Sequence, residues 1–140
     1  MTNLFTYGSL MCDDIMLHVS GERPSHQKAR LNGFFCSQIH GETYPGIYSD
    51  VEHNVEGVLY FDVSQSALAR LDCFEGEYYQ RNEITVLCSS QGKILATAYI
   101  IKPQYSHLLT GKLWNYEEFL RHGKKEFEAK YVGFKRCNRM

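Results

Sequence analysis

The segment Leu68-Ala69-Arg70-Leu71-Asp72-Cys73-Phe74-Glu75-Gly76 holds the carboxylate best placed to do chemistry. Wound as a helix at about 100° per residue, Leu68, Leu71 and Phe74 form one apolar stripe, and Glu75 falls about 20° from Leu68 and about 40° from Leu71. Asp72 lies toward the edge of that stripe, and Glu77 points away from it. One carboxylate is thus aimed at apolar surroundings while its neighbours are not. Withdrawing a carboxyl from water disfavours its charged form and raises its pKa. An acid tuned toward neutral pH is what a proton shuttle needs. Gly76 ends the helix and lets the chain turn into the next strand. The same residues also admit a plainer role, in which Glu75 caps this turn or pairs with Arg81 or Arg70.

A second segment, Leu4-Phe5-Thr6-Tyr7-Gly8-Ser9-Leu10, runs from a short strand straight into Gly-Ser and a helix start. Gly8 permits a tight backbone conformation. Successive N–H groups in such a turn can converge on a concavity that binds an anion, aided by the helix N-terminus. A strand ending in Gly-Ser can equally be an ordinary turn.

Other chemistries find less support. Ser9 is followed by Leu10 and Met11, so the G-x-S-x-G elbow of a serine hydrolase is absent. His18, His26, His40, His53, His107 and His122 offer bases, but none stands at a telling spacing from Ser9 or Cys73. The pairs His40 and Glu42, or Glu52 and His53, lack the spacing of familiar zinc sites, so neither a metal nor a cofactor is expected. Cys12, Cys36, Cys73, Cys88 and Cys137 are odd in number and contain no C-x-x-C pair. They read as free thiols of a reducing compartment.

The elements that must hold these residues follow from local pattern. Leu4 to Tyr7 reads as a first strand. A helix follows from about Cys12 to Val19 and stops near Gly21. Residues 21–28 read as loop, Ala29 to Ile39 as a strand, and Tyr44 to Asp50 as a turn with extended flanks. Val55 to Val63 alternates, with Val55, Gly57, Leu59 and Phe61 on one face. Ser64 is an N-cap for a helix to about Phe74. Glu83 to Cys88 and Lys93 to Lys102 form a hairpin around Ser-Ser-Gln-Gly, and residues 102–113 read as loop. Asn115 and Glu118 resemble a capping box. Tyr116, Phe119, Leu120, Phe127 and Tyr131 follow at helical spacing. Strands and helices do not alternate regularly, which disfavours a doubly wound parallel sheet. The expected class is α+β: a small mixed, mostly antiparallel β-barrel flanked by short helices and a C-terminal helix.

With 140 residues, 44% of them apolar, one domain over residues 1–140 is expected. A net charge of −1 argues against a nucleic-acid surface. The basic C-terminal stretch KYVGFKRCNRM reads as a solvated tail. No apolar run reaches the roughly 18 residues of a membrane span, and the N-terminus is not a signal peptide. The expected location is therefore the cytoplasm, with no membrane partner. The sequence leaves the oligomeric state open.

Taken together, these motifs resemble the γ-glutamylcyclotransferase-like (AIG2-like, γ-glutamylamine cyclotransferase) family. The resemblance rests on the strand-borne Tyr7-Gly8-Ser9-Leu10 and the Pro-Gly turn Tyr44-Pro45-Gly46-Ile47. It rests also on the strand Val55 to Tyr60, on Leu71-Asp72-Cys73-Phe74-Glu75-Gly76 followed by Tyr79 to Arg81, and on Trp114 with its aromatic helix. It implies a small-molecule γ-glutamyl substrate converted to 5-oxoproline, an acyltransferase or lyase type of activity. It also implies that Tyr7, Gly8, Ser9 and Leu10 bind the γ-glutamyl part and that Glu75 is the general acid/base. Tyr79 is assigned a supporting place in the pocket. The rival reading keeps the same pocket but uses it to bind a metabolite without converting it.

Overall fold

A computed structural model describes residues 2–130. Its strands are β1 (Thr2–Thr6), β2 (His26–Ile39), β3 (Pro45–Val63), β4 (Tyr79–Cys88), β5 (Gly92–Ile101) and β6 (Leu109–Leu113). Helices α1 (Asp13–Ser20) and α2 (Gln65–Glu75) interrupt them. A helical end follows as α3 (Tyr116–Glu118), a π-helical turn (Phe119–Gly123) and α4 (Lys124–Lys130). The sheet order is β3-β1-β5-β4-β2-β6, and a further β2–β3 pairing closes the first five strands into a ring. The pairings are antiparallel except β1 with β5. The architecture is the expected mixed α+β one, mostly antiparallel, with a helical C-terminal segment.

Both faces of the ring are covered, which explains why β1 shows no polar–apolar alternation. Phe5, Tyr7, Leu31, Ile47, Val55 and Leu59 belong to a core built from strand residues and the turn that follows β1. Leu4, Tyr60 and Val63 belong to a second core with Ile15, Met16 and Val19 of α1 and Leu68 and Leu71 of α2. Leu68 and Leu71 are 1% and 0% exposed. Burial on that scale is worth about 1.5–3 kcal/mol per leucine and seats α2 on the ring. Ser64 starts α2 as expected, its hydroxyl accepting from the Ala67 amide at 3.1 Å.

Several boundaries differ from the sequence reading. His26 to Lys28 are strand, paired with Tyr60 to Val58, where loop was expected. Pro45 to Asp50 are also strand, paired with β2. Pro45 opens that strand, where the missing N–H is tolerated. β4 starts at Tyr79 rather than Glu83, so Tyr79 to Asn82 extend the hairpin. β6 lies inside expected loop: it is short and largely exposed, and its two leucines flank Thr-Gly-Lys without strand alternation. The terminal helix is not continuous. Asn115 caps it, accepting from the Glu118 amide at 2.9 Å, but the π-helical turn resets the angular register. Phe119 and Phe127 are buried while Leu120 is 40% exposed, against the expectation for Leu120. Tyr131 and the rest of the basic C-terminal stretch lie outside the described residues. Cys12, Cys36 and Cys88 are buried free thiols. Cys73 is disulfide-bonded, which corrects the free-thiol expectation there; an odd count without C-x-x-C does not say which thiols pair.

Candidate active site

The end of β1 is anchored before it turns. Tyr7 is buried, and its phenol donates to the Tyr99 main-chain carbonyl at 2.6 Å. Gly8 then leads into one tight turn, closed by Met11 N–H to Gly8 carbonyl at 3.0 Å and Cys12 N–H to Ser9 carbonyl at 3.1 Å. The Leu10 carbonyl accepts from the Tyr60 phenol at 2.7 Å. The Ser9 and Leu10 amides stand at the open start of this turn, where backbone N–H groups have no carbonyl within the turn to bond. Gly8 is required by close approach: a Cβ there would stand 2.8 Å from Pro45 Cδ.

Glu75 is the last residue of α2. Gly76 follows with φ of 77°, its N–H closing on the Asp72 carbonyl at 3.1 Å. Neither cation that the sequence offered to Glu75 is used on it. Arg70 Nε donates to the Ser20 carbonyl at 2.8 Å. Arg81 binds Asp72, with Nε 2.8 Å from Oδ1 and Nη2 3.1 Å from Oδ2. The residue Glu75 is half-buried overall, while its carboxyl is surrounded by protein. Burial, with a smaller contribution from the Asp72 charge, pushes that carboxyl up to about 8.

Glu75 and the turn meet in one cavity of about 330 Å³, open mouth included. Its walls are Phe5 to Leu10, Tyr44, Pro45, Glu75, Tyr79 and Tyr99. A recess lined by Ser9, Tyr44, Phe74, Glu75, Tyr79 and Phe127 adjoins it. All six residues singled out from the sequence, Tyr7, Gly8, Ser9, Leu10, Glu75 and Tyr79, therefore line one space. Tyr79 contributes its ring, and its phenol is committed to the Pro45 carbonyl at 2.7 Å. Trp114 holds the wall from behind, its indole N–H bonded to the Thr43 carbonyl at 2.9 Å beside Tyr44.

Tyr99 was missed, because a tyrosine in a β-branched hairpin strand gives no local sign of facing a site. Among the described residues no Lys, Arg or His lines the cavity or its recess, so Ser9 has no histidine base there. No group of three or more metal-ligating side chains occurs among the described residues.

The model of the gamma-glutamyl cyclotransferase, AIG2-like family matches residues 4–117, which include every wall residue of the main cavity. The chain belongs to that family. Within the AIG2-like group, it is 31% identical over 126 residues to AIG2-like protein C of Arabidopsis thaliana, covering 89% of this chain and 73% of that one. AIG2-like protein D of the same plant is 32% identical over 121 residues, covering 85% of this chain and 79% of the relative. A solution structure from Arabidopsis thaliana superposes with a TM-score of 0.71 at 26% identity, covering 99% of this chain and 93% of that chain. A structure described as a gamma-glutamyl cyclotransferase shares the fold, with a TM-score of 0.66 at 18% identity and coverage of 98% and 86%. Among the described residues no helix is long and apolar enough to cross a membrane.

Proposed function

We propose that this family member converts a γ-glutamyl amide, either a γ-glutamyl-amino acid or a γ-glutamylamine, to 5-oxoproline and a free amine. The observation that carries the reading is the enclosed Glu75 carboxyl sharing one cavity with the Tyr7–Leu10 turn. In this reading the turn's main-chain amides hold the substrate's α-carboxylate or its developing oxyanion. The α-nitrogen, folded toward Glu75, attacks the γ-carbonyl of its own chain. Tethering both reactants in one molecule gives a large proximity advantage.

The protons balance. The α-ammonium loses two protons on becoming the lactam N–H, and the departing amide nitrogen gains two on leaving as an ammonium ion. Glu75 relays them, first as base and then as acid. A carboxyl raised to about 8 is a far stronger base than an ordinary carboxylate, which narrows the gap to the substrate's α-ammonium and eases proton transfer in either direction. No covalent intermediate on the protein is needed.

The test is mass spectrometry of 5-oxoproline after incubating the purified protein with a library of γ-glutamyl amino acids and γ-glutamylamines. Release from at least one member supports the reading. Binding across the library without release favours a metabolite-binding module instead.

A further inference from the structure

Asp72 lies one helical turn before Glu75 and is held by three donors. Arg81 of β4 grips both of its carboxylate oxygens, at 2.8 and 3.1 Å. Tyr99 of β5 donates its phenol to Oδ1 at 2.6 Å. Arg81 and Tyr99 are direct partners across the β4–β5 pair, so their side chains leave the sheet at one place and converge on one carboxylate. Two-point guanidinium contacts and short charged hydrogen bonds fix the position of such a group.

The Arg81 and Asp72 side chains are 37% and 43% exposed, so this ion pair does little for stability. Its placement matters more. Tyr99 lines the Glu75 cavity, and its carbonyl takes the Tyr7 phenol, so the residue that holds Asp72 is built into the site wall.

We propose that Asp72 is a positioning residue of this site: clamped between Arg81 and Tyr99 one helical turn before Glu75, its negative charge adds to burial in setting the pH at which Glu75 exchanges its proton, with Arg81 as the counterweight. The inference rests on the reading of Glu75 as the proton shuttle. Among the described residues, the titratable groups around Glu75 are few. On its own helix there is Asp72. From β4 come Tyr79 in the wall and Arg81 behind Asp72, from β5 Tyr99, from the end of β1 Tyr7, and from the β2–β3 connection Tyr44. Burial raises the Tyr7 and Tyr99 phenols, so both stay neutral across the working range. Among the described residues, Asp72 is the charge that acts on Glu75, and Arg81 acts on it through Asp72.

The experiment is a carbon-13 NMR titration of the Glu75 carboxyl, without substrate, in the wild type, Asp72→Asn, Arg81→Gln and Arg81→Lys. Asp72→Asn should lower the midpoint, because a like charge is removed. Arg81→Gln should raise it, because Asp72 loses its counter-ion, and Arg81→Lys should stay near the wild type. A purely structural ion pair would lower thermal stability in both Asp72→Asn and Arg81→Gln without moving the midpoint. Unmoved midpoints, or shifts of the same sign in those two variants, overturn the proposal. The readout needs no turnover, so midpoints that move as expected in a protein inert toward every γ-glutamyl amide would uphold the tuning and refute the enzymatic reading alone.

Discussion

The Tyr7 phenol donates a 2.6 Å hydrogen bond to the main-chain carbonyl of Tyr99, tying the turn after β1 to the β5 residue that grips Asp72. The two strands run parallel here, pairing Leu4 with Thr97 and Phe5 with Ala98, so the bond continues their ladder with a side chain. The turn is therefore connected through Tyr99 to Asp72, one helical turn before Glu75.

Tyr7→Phe tests that connection. The buried carbonyl loses its donor, which costs about 1–3 kcal/mol, a drop of several degrees in Tm. With the turn less firmly held, kcat/KM should fall about tenfold while far-UV circular dichroism is unchanged. Thermal melts and steady-state kinetics on the same preparation check both.

The pH profile follows from the raised Glu75 carboxyl. The free enzyme acts through the carboxylate form, so kcat/KM should climb as pH rises from 6 through an apparent pKa of about 8 and fall again where the substrate's α-ammonium deprotonates. A profile already flat at pH 6 would show that an ordinary carboxylate, or none, governs the reaction.

The same group makes a stability prediction of definite sign. Native Glu75 holds its proton up to about 8, whereas the unfolded chain releases it near 4.5. Its contribution to stability is complete below 4.5 and is lost as pH rises through about 8. The loss amounts to about 3–5 kcal/mol at one pKa unit per 1.36 kcal/mol. Glu75→Gln removes it, so this variant should melt above the wild type, by a margin that widens from pH 5 to pH 9. Calorimetry at those two pH values decides the point.

Gly8→Ala addresses the turn itself. The added methyl would meet Pro45 Cδ at 2.8 Å and Cγ at 3.0 Å, so the turn or the start of β3 must shift. Overpacking of this kind costs about 1–3 kcal/mol, and a displacement on the order of 1 Å in a positioning group can cost about a hundredfold in rate. The expected variant is folded and nearly inactive, as judged by circular dichroism and 5-oxoproline release.

How much of this was legible in the sequence differs by element. The Leu68, Leu71 and Phe74 stripe placed Glu75 toward the protein interior, because three apolar residues at helical spacing fix which way a helix faces. Ser64, Gly76 and Asn115 marked helix ends through their own backbone chemistry. The long β2–β3 pair was only half visible: Pro45 and Gly46 read as a turn, and only the neighbouring strand makes them part of the sheet. β6 is short and edge-like, so its pairing with β2 has no local cause. The break at the π-helical turn reversed the expectation for Leu120, since angular spacing carries no information once the helical period changes. In the site, the Tyr7–Leu10 turn and Glu75 were found from their own motifs. Tyr99 was not, because its role depends on lying opposite Arg81 in a hairpin register set by the whole fold.

Whether Glu75 carries the protons of the reaction is read from single-turnover release of 5-oxoproline by Glu75→Gln, beside the wild type on its best γ-glutamyl substrate. The folded variant should be slowed by about 10²–10⁴-fold, the range for loss of a general acid–base group. A folded Glu75→Gln protein that releases 5-oxoproline within a few-fold of the wild-type rate would contradict that role.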